Sequence, residues 1–370
     1  MSQILAPAHV QAIAPYQAGK PIEELAREYG LDPAGIIKLA SNENPLGCSE
    51  HVRAALAQAV EHLQGRYPDP NGFDLKIDIA AHHQVPAQWV TLGNGSNDLL
   101  ELASLALLDE GTSAVYAQHA FVVYRLSTQA RGARHCQVPA KAYGHDLPAM
   151  LATIAEDTRL VFIANPNNPT GTHVPAADVQ TFLAQVYQRY GNQVTVLLDE
   201  AYDDYLDPEE RADSAKWVQQ YPNLIVTRTF SKAYGLAGLR VGYALAQPGL
   251  TDLLNRVRQP FNVGVLAQQA ARVALADTDF LAATHHLNRQ GRKQLQDGFT
   301  QLGLEFVPSH TNFVLVQVGD AAGIHGQLLR RGIIVRPVAA DGLPQHLRVS
   351  IGLPAENARF LDALADILKS

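Results

Sequence analysis

Cysteine, methionine and tryptophan are scarce in this chain, with two of each among 370 residues. Cys48 and Cys136 lack metal-site spacing and read as reduced thiols in a cytoplasm. No apolar run approaches the length of a membrane span. The stretch from Met1 to Ala14 has no basic start followed by an apolar core, so no secretory signal is read there. Positive charge is not in excess either: 36 acidic residues against 29 basic ones give a formal net charge of -7. That balance argues against non-specific nucleic-acid binding and against a membrane-surface role. There is no internal repeat at a fixed period and no low-complexity linker. His82-His83 and His285-His286 are adjacent pairs. Adjacent side chains point apart on a helix, so both pairs read as solvated surface and no metal site is expected.

What is present is a long alternation of apolar runs and helical patterns. The length exceeds the usual limit for one core, and 47% hydrophobic residues support a sizeable interior. Strand-like runs start at Ile37, Trp89, Ser113, Leu160, Val194, Leu224 and Val241. Helical patterns run over Ile22 to Tyr29, Ser49 to Leu63 with Ser49 as N-cap, Asn97 to Leu108, Phe121 to Ala130, Ala176 to Gln188, Asp252 to Arg258 and Val265 to Ala276. All-apolar strands alternating with helices predict an α/β fold, with a mostly parallel sheet covered by helices on both faces. A very long helix, Asp279 to Leu302, marks a boundary. The strands from Asn312, Ile333 and Leu347 and the helices from Gly323 and Ala355 then predict a smaller α+β C-terminal domain. The expected division is residues 1–45 as an arm and a contribution to the small domain, 46–277 as the large domain and 278–370 as the small one.

Polar groups cluster where strands end. Thr227 to Arg240 places Lys232 in a small-residue turn after a strand, preceded by Ser231 and followed by Arg240. A lysine there can condense with a carbonyl cofactor if desolvation or a neighbouring cation lowers its pKa. Ser231 and Arg240 are suited to a phosphate; the alternative is a surface lysine on a glycine-rich loop. Gly93-Asn94-Gly95-Ser96 opens a helix and so forms an anion site, without the spacing of a dinucleotide fingerprint or a Walker loop. Asn165 to Gly171 is a rigid amide- and proline-rich loop at a strand's C-terminal end, where open α/β sheets place active sites. Asp199 directly follows a buried strand, a costly place for a carboxylate unless it is paired, although helix capping also accounts for it. Arg336 and Arg348 lie at or inside strands, where arginines are rarely without a partner.

Lysine, strand-end carboxylate, phenol, amide and phosphate cup are together the set that pyridoxal 5′-phosphate chemistry requires. At these residues the chain resembles the fold-type-I pyridoxal-phosphate aminotransferases, and within them the histidinol-phosphate aminotransferases. The resemblance rests on Ala40 to Pro45, Arg66-Tyr67-Pro68-Asp69, Asn165 to Gly171, Asp199-Glu200-Ala201-Tyr202, Ser231 to Arg240 and Leu347 to Ser350, and it runs over nearly the whole chain.

By that resemblance Lys232 is the catalytic lysine and Asp199 pairs with the pyridinium nitrogen. Asn168 and Tyr202 bond the ring oxygen, and Phe121 stacks on the ring. Gly95, Ser96 and Asn97, with Ser231 and Arg240, hold the phosphate. Tyr67 reaches the phosphate in the partner subunit, which implies a homodimer with shared sites. Tyr16, Asn42, Arg336 and Arg348 face the substrate. The implied reaction exchanges an amino group between histidinol phosphate and 2-oxoglutarate in histidine biosynthesis, ping-pong through the pyridoxamine form. An aromatic amino-acid aminotransferase on the same scaffold and a non-catalytic cofactor-binding regulator are the alternatives. The chain departs from the family at Ser96-Asn97-Asp98, where an acidic pair is usual, and at His119-Ala120, where Pro-Thr is usual.

Overall fold

The computed structural model describes residues 5–15, 19–62 and 65–369. Its strands, in chain order, are β1 (Ile37–Leu39), β2 (Val90–Gly93), β3 (Ser113–Ala117), β4 (Arg134–Val138), β5 (Thr158–Ala164), β6 (Thr195–Asp199), β7 (Leu224–Thr229), β8 (Gly242–Ala246), β9 (Phe306–Val307), β10 (Phe313–Gln317), β11 (Ile333–Val338) and β12 (Leu343–Ser350). They form two sheets.

The larger sheet has the order β2-β8-β7-β6-β5-β3-β4. Its strands β3 to β7 pair in parallel, while β8 runs antiparallel to both β7 and β2. Although β5 and β6 read as continuous apolar runs, the period of two still sorts their side chains. Val161, Ile163, Val196 and Leu198 enter one core, and Leu160, Phe162 and Leu197 enter another. Each buried Val, Leu or Ile stabilises by roughly 1.5–3 kcal/mol relative to exposure, so both faces need cover. The helices Ser96–Leu107 and Val122–Ala130 contribute Leu99, Leu100 and Tyr124 on one side. Ala176–Tyr190 and Val265–Ala276 contribute Val179, Phe182 and Ala270 on the other.

The smaller sheet has the order β1-β11-β12-β10-β9. β1 pairs in parallel with β11, Ile37 opposite Ile333. The 37–39 segment is thus built into the C-terminal sheet. One face of that sheet packs Val314, Val316, Val335, Leu347 and Val349 against Leu295 and Phe299 of the long helix Thr278–Gln301 and Phe360 and Leu364 of Pro354–Lys369.

Leaving aside the short 3-10 turns, six of the described strands and α-helices carry no counterpart in the sequence reading: β4, β9 and the helices Ala8–Gln11, Phe73–His83, Leu147–Thr153 and Ser214–Gln220. β4 is an edge strand, Arg-His-Cys-Gln-Val, with one buried side chain, so it makes no apolar run. The short helix Leu147–Thr153 is announced by capping: Asp146 Oδ1 accepts from the Ala149 amide, and a proline stands in its first turn. Leu63, the expected end of an earlier helix, lies outside the described residues. The histidine pairs split as their adjacency requires, but they are not wholly surface. His83 is half-buried and shares a hydrogen bond of 2.7 Å with the Tyr243 hydroxyl, and His285 is half-buried against Leu206 O.

Candidate active site

A cavity of about 880 Å³ opens between the C-terminal ends of the large-sheet strands and the small sheet. Its lining includes Asn42, Ser96, Asn97, Phe121, Asn168, Asp199, Tyr202, Ser231, Lys232, Arg240, Arg336 and Arg348. Residues scattered over three hundred positions of sequence therefore meet, because each follows or flanks a strand and parallel strands end on one side.

Lys232 stands just beyond β7. It is half-buried, its Nζ donates to Ser41 O at 3.2 Å, and the amine lies 5.7 Å from the Tyr202 ring centroid. Burial and the nearby Arg348 guanidinium bring its pKa down to about 7, with Glu43 opposing. Such a lysine is a competent nucleophile and base near neutrality.

Asp199 ends β6 and is buried. Its donors are all neutral: the Tyr124 hydroxyl at 2.8 Å, the Thr227 hydroxyl at 3.2 Å and the Ala201 amide at 3.3 Å. Burial pushes its pKa up, and those hydrogen bonds and the Lys232 charge pull it back. A carboxylate so placed is completed by a cationic N–H.

On the other flank, Gly95 precedes the helix Ser96–Leu107, whose first amides carry the positive end of the helix dipole. A Cβ on Gly95 would lie 2.3 Å from Arg240 Nη2, and the glycine has φ +81°, so only glycine lets the guanidinium approach this turn. Arg240 itself has φ +54°, and its Nη1 donates to Ser231 Oγ at 3.1 Å. The cup of amides, hydroxyl and guanidinium fits a dianionic phosphate. Asp98, which stands where a family acid was expected, also lines the cavity, and its Oδ2 accepts from the Asn94 amide and Asn262 Nδ2. The phosphate cup and the buried acid together fit pyridoxal phosphate at its two charged ends.

The small sheet supplies the opposite wall. Arg336 and Arg348 face each other across β11 and β12. Like charges directly opposite are unfavourable on a sheet, and an anion between them removes the conflict. Arg348 reaches Asn168 Oδ1 at 2.7 Å and Ala40 O at 2.6 Å, with its guanidinium 5.2 Å from the Phe313 ring. Asn42, expected to face the substrate, is 1% exposed and otherwise engaged. Its Nδ2 donates to the Tyr202 hydroxyl, and its amide and Oδ1 both meet Ser350 Oγ. It borders the cavity mainly as the residue that orients Tyr202.

Tyr67 does not line this cavity; it is 82% exposed and stacks on Phe261 with centroids 4.6 Å apart. Tyr16 lies outside the described residues. His119 borders a neighbouring hollow, where its Nδ1 bonds Asp341 O at 2.6 Å. Three participants were not foreseen. Ser41 supplies the carbonyl that accepts from Lys232. Tyr124 donates to Asp199, and its signal was a phenol one helical turn beyond Phe121. Lys38 lines the cavity beside Glu43, at 3.3 Å, and its signal was a lone cation between apolar residues of a strand.

Residues 34–364 match the family described as aminotransferase class I and II. The chain is 61% identical over 367 residues to histidinol-phosphate aminotransferase 1 of Cupriavidus pinatubonensis, which covers 98% of this chain and 96% of the relative. It is 55% identical to histidinol-phosphate aminotransferase of Methylobacillus flagellatus, over 99% of this chain and 98% of that one. Among solved structures it is similar to histidinol-phosphate aminotransferase from Sinorhizobium meliloti in complex with pyridoxal-5′-phosphate. There the TM-score is 0.89 and the identity 29%, over all of this chain and 98% of the other.

Proposed function

The chain belongs to the class I and II aminotransferases, and from that membership we propose that it interconverts histidinol phosphate and 2-oxoglutarate with imidazole-acetol phosphate and glutamate. The observation that carries this reading is the facing pair Arg336 and Arg348 across the cavity from Lys232. Glutamate presents a carboxylate beside its amine-bearing carbon, and histidinol phosphate presents a phosphate ester there. Two guanidinium forks accept either anion, where a single lysine would not reproduce the geometry.

Asp199, Tyr202, Asn168, Phe121, Gly95, Ser96, Asn97, Ser231 and Arg240 are the residues that would hold pyridoxal phosphate. The bound group supplies an electron sink that makes the proton on the substrate's amine-bearing carbon removable. Lys232 Nζ, whose lowered pKa leaves a substantial uncharged fraction near pH 7, takes that proton and returns it. Asp199 favours a protonated ring nitrogen, and Tyr124 and Thr227 keep its carboxylate aimed. Arg348, seated on Asn168 and Ala40, fixes the anionic end of the substrate.

The proposed active species is a cytoplasmic homodimer in which the exposed Tyr67 serves the partner's site. We also set the domain division at residues 46–277 and 278–370, with residues up to 45 contributing to the smaller part. The deciding experiment compares kcat/KM for histidinol phosphate and phenylalanine with 2-oxoglutarate as common acceptor. Histidinol phosphate should lead by at least roughly a hundredfold, about 2.7 kcal/mol. Equal or better use of phenylalanine would replace this reading with that of an aromatic amino-acid aminotransferase.

A further inference from the structure

Away from the cavity, three loops bring His173, Glu210 and His310 together. His173 leads out of the Asn165–Thr172 loop of the large domain, and Glu210 lies in a turn beyond Asp207. His310 belongs to the small domain, between β9 and β10. One ligand atom from each lies within 4.8 Å of the other two. Both Glu210 carboxylate oxygens are 3.2 Å from His310 Nδ1, and the two imidazole rings are 5.2 Å apart between centroids. All three side chains are half-buried.

We propose that His173, Glu210 and His310 form a binding site for a divalent transition-metal ion of the zinc class, clasping the seam between the two domains. Two imidazoles and one carboxylate are a donor set that suits zinc, with a fourth position left for water. Bonds of about 2.0–2.1 Å in a tetrahedral arrangement bring ligand atoms to roughly 3.4 Å from one another, so small side-chain rotations close the set. The loops are already held together without an ion. The His310 amide donates to Gly171 O at 2.9 Å, and a Cβ on Gly171 would lie 2.6 Å from Ser309 Oγ. Binding therefore costs little ordering of backbone. Asp203 adds negative charge within reach of His173, while Arg292 adds positive charge within reach of Glu210 and limits the affinity. An ion here would tie the small domain to the loop that carries Asn168.

The test uses the holoenzyme, stripped with a chelator and titrated with zinc against a chromophoric competitor. One equivalent per chain should bind, and the thermal midpoint should rise with zinc concentration. His173→Ala and His310→Ala should each weaken that equivalent by at least a hundredfold. The isosteric Glu210→Gln guards against a folding failure and should also weaken it, while His286→Ala at an exposed histidine should not. Cobalt(II) in place of zinc should give the intense visible bands of a four-coordinate centre in the wild type alone. Absence of a retained equivalent, or equal retention in the His173 and His310 variants, would overturn the proposal.

Discussion

Asp199 and Glu200 are neighbours in the chain, and so are Thr227 and Arg228 one strand over, yet the pairs meet opposite electrostatic surroundings. Strand alternation sends Asp199 to the cavity, with Thr227 bonded beneath it, and Glu200 and Arg228 to the other side. Behind the cavity the charges are closed on one another. Arg228 Nη2 lies 2.7 Å from Glu200 Oε2 and Nη1 lies 3.1 Å from Asp203 Oδ2, while the Ser214 hydroxyl donates to Glu200 at 2.7 Å. Burial pushes the Glu200 pKa up, but a guanidinium at this distance holds the acid ionised. The cavity gathers a different set: a desolvated lysine, a buried acid with neutral donors, and two arginines opposite one another. The first arrangement is a finished structural joint. The second is complete only with a phosphate, a ring cation and an anionic substrate, which is how a binding site differs from a buried ion network of similar composition.

Breaking the cavity side should abolish turnover without loss of fold. Lys232→Ala removes the desolvated amine that faces Asp199 and Tyr202, and the rate should fall by about four orders of magnitude or more. Single-turnover kinetics reads it, and a rate within tenfold of wild type would remove Lys232 from its assigned role. Breaking the other side should do the reverse. Arg228→Ala leaves Glu200 and Asp203 buried without their cation, at a cost of about 3–5 kcal/mol of stability in urea denaturation. A loss below about 1 kcal/mol, the level of an exposed pair, would show that the network is not the joint described.

The next effect sharpens the comparison from within the cavity. Arg348→Lys keeps the charge but loses the fork onto Asn168 and Ala40, so kcat/KM should fall in both half-reactions by about 2–5 kcal/mol equivalent. A loss confined to glutamate would place the phosphate elsewhere. A further effect is on the pH dependence of the cofactor-free protein. Lys232 titrates near 7 when folded and near 10.5 when unfolded. Below 7 both states are protonated, and the cost of desolvating the ammonium stands in full. Between 7 and 10.5 the unfolded state binds the extra proton, so this residue's contribution to stability improves as pH rises. Lys232→Met should lose that slope in urea midpoints across the window, and an unchanged slope would count against a depressed lysine.

Lys232, Asp199, Asn168 and Arg240 were legible because each directly follows or flanks an apolar run, and strand ends are where side chains leave the core. The sheets were legible for the same reason, apart from the polar edge strand β4 and the two-residue edge strand β9. Partnerships across long separations were not. Nothing in the sequence links Tyr124 to Asp199. The opposition of Arg336 and Arg348 depends on the register of β11 with β12, which shifts between Pro337 and Val338. Asn42 shows the limit of position alone: the residue borders the site as expected, while its hydrogen bonds go to Tyr202 and Ser350.

The parallel pairing of β1 with β11 has a consequence for biosynthesis. Ile37 leaves the ribosome roughly 300 residues before Ile333, its partner, so this contact carries a very high sequence separation. Until then the Ser41 carbonyl and Asn42 have no sheet to anchor them, and Lys232 lacks the acceptor it uses in the finished protein. A nascent chain can therefore complete the large sheet well before it has a working pocket. The last hundred residues act as a check on completeness, because catalysis has to wait for the far end of the chain to come back and clasp its beginning.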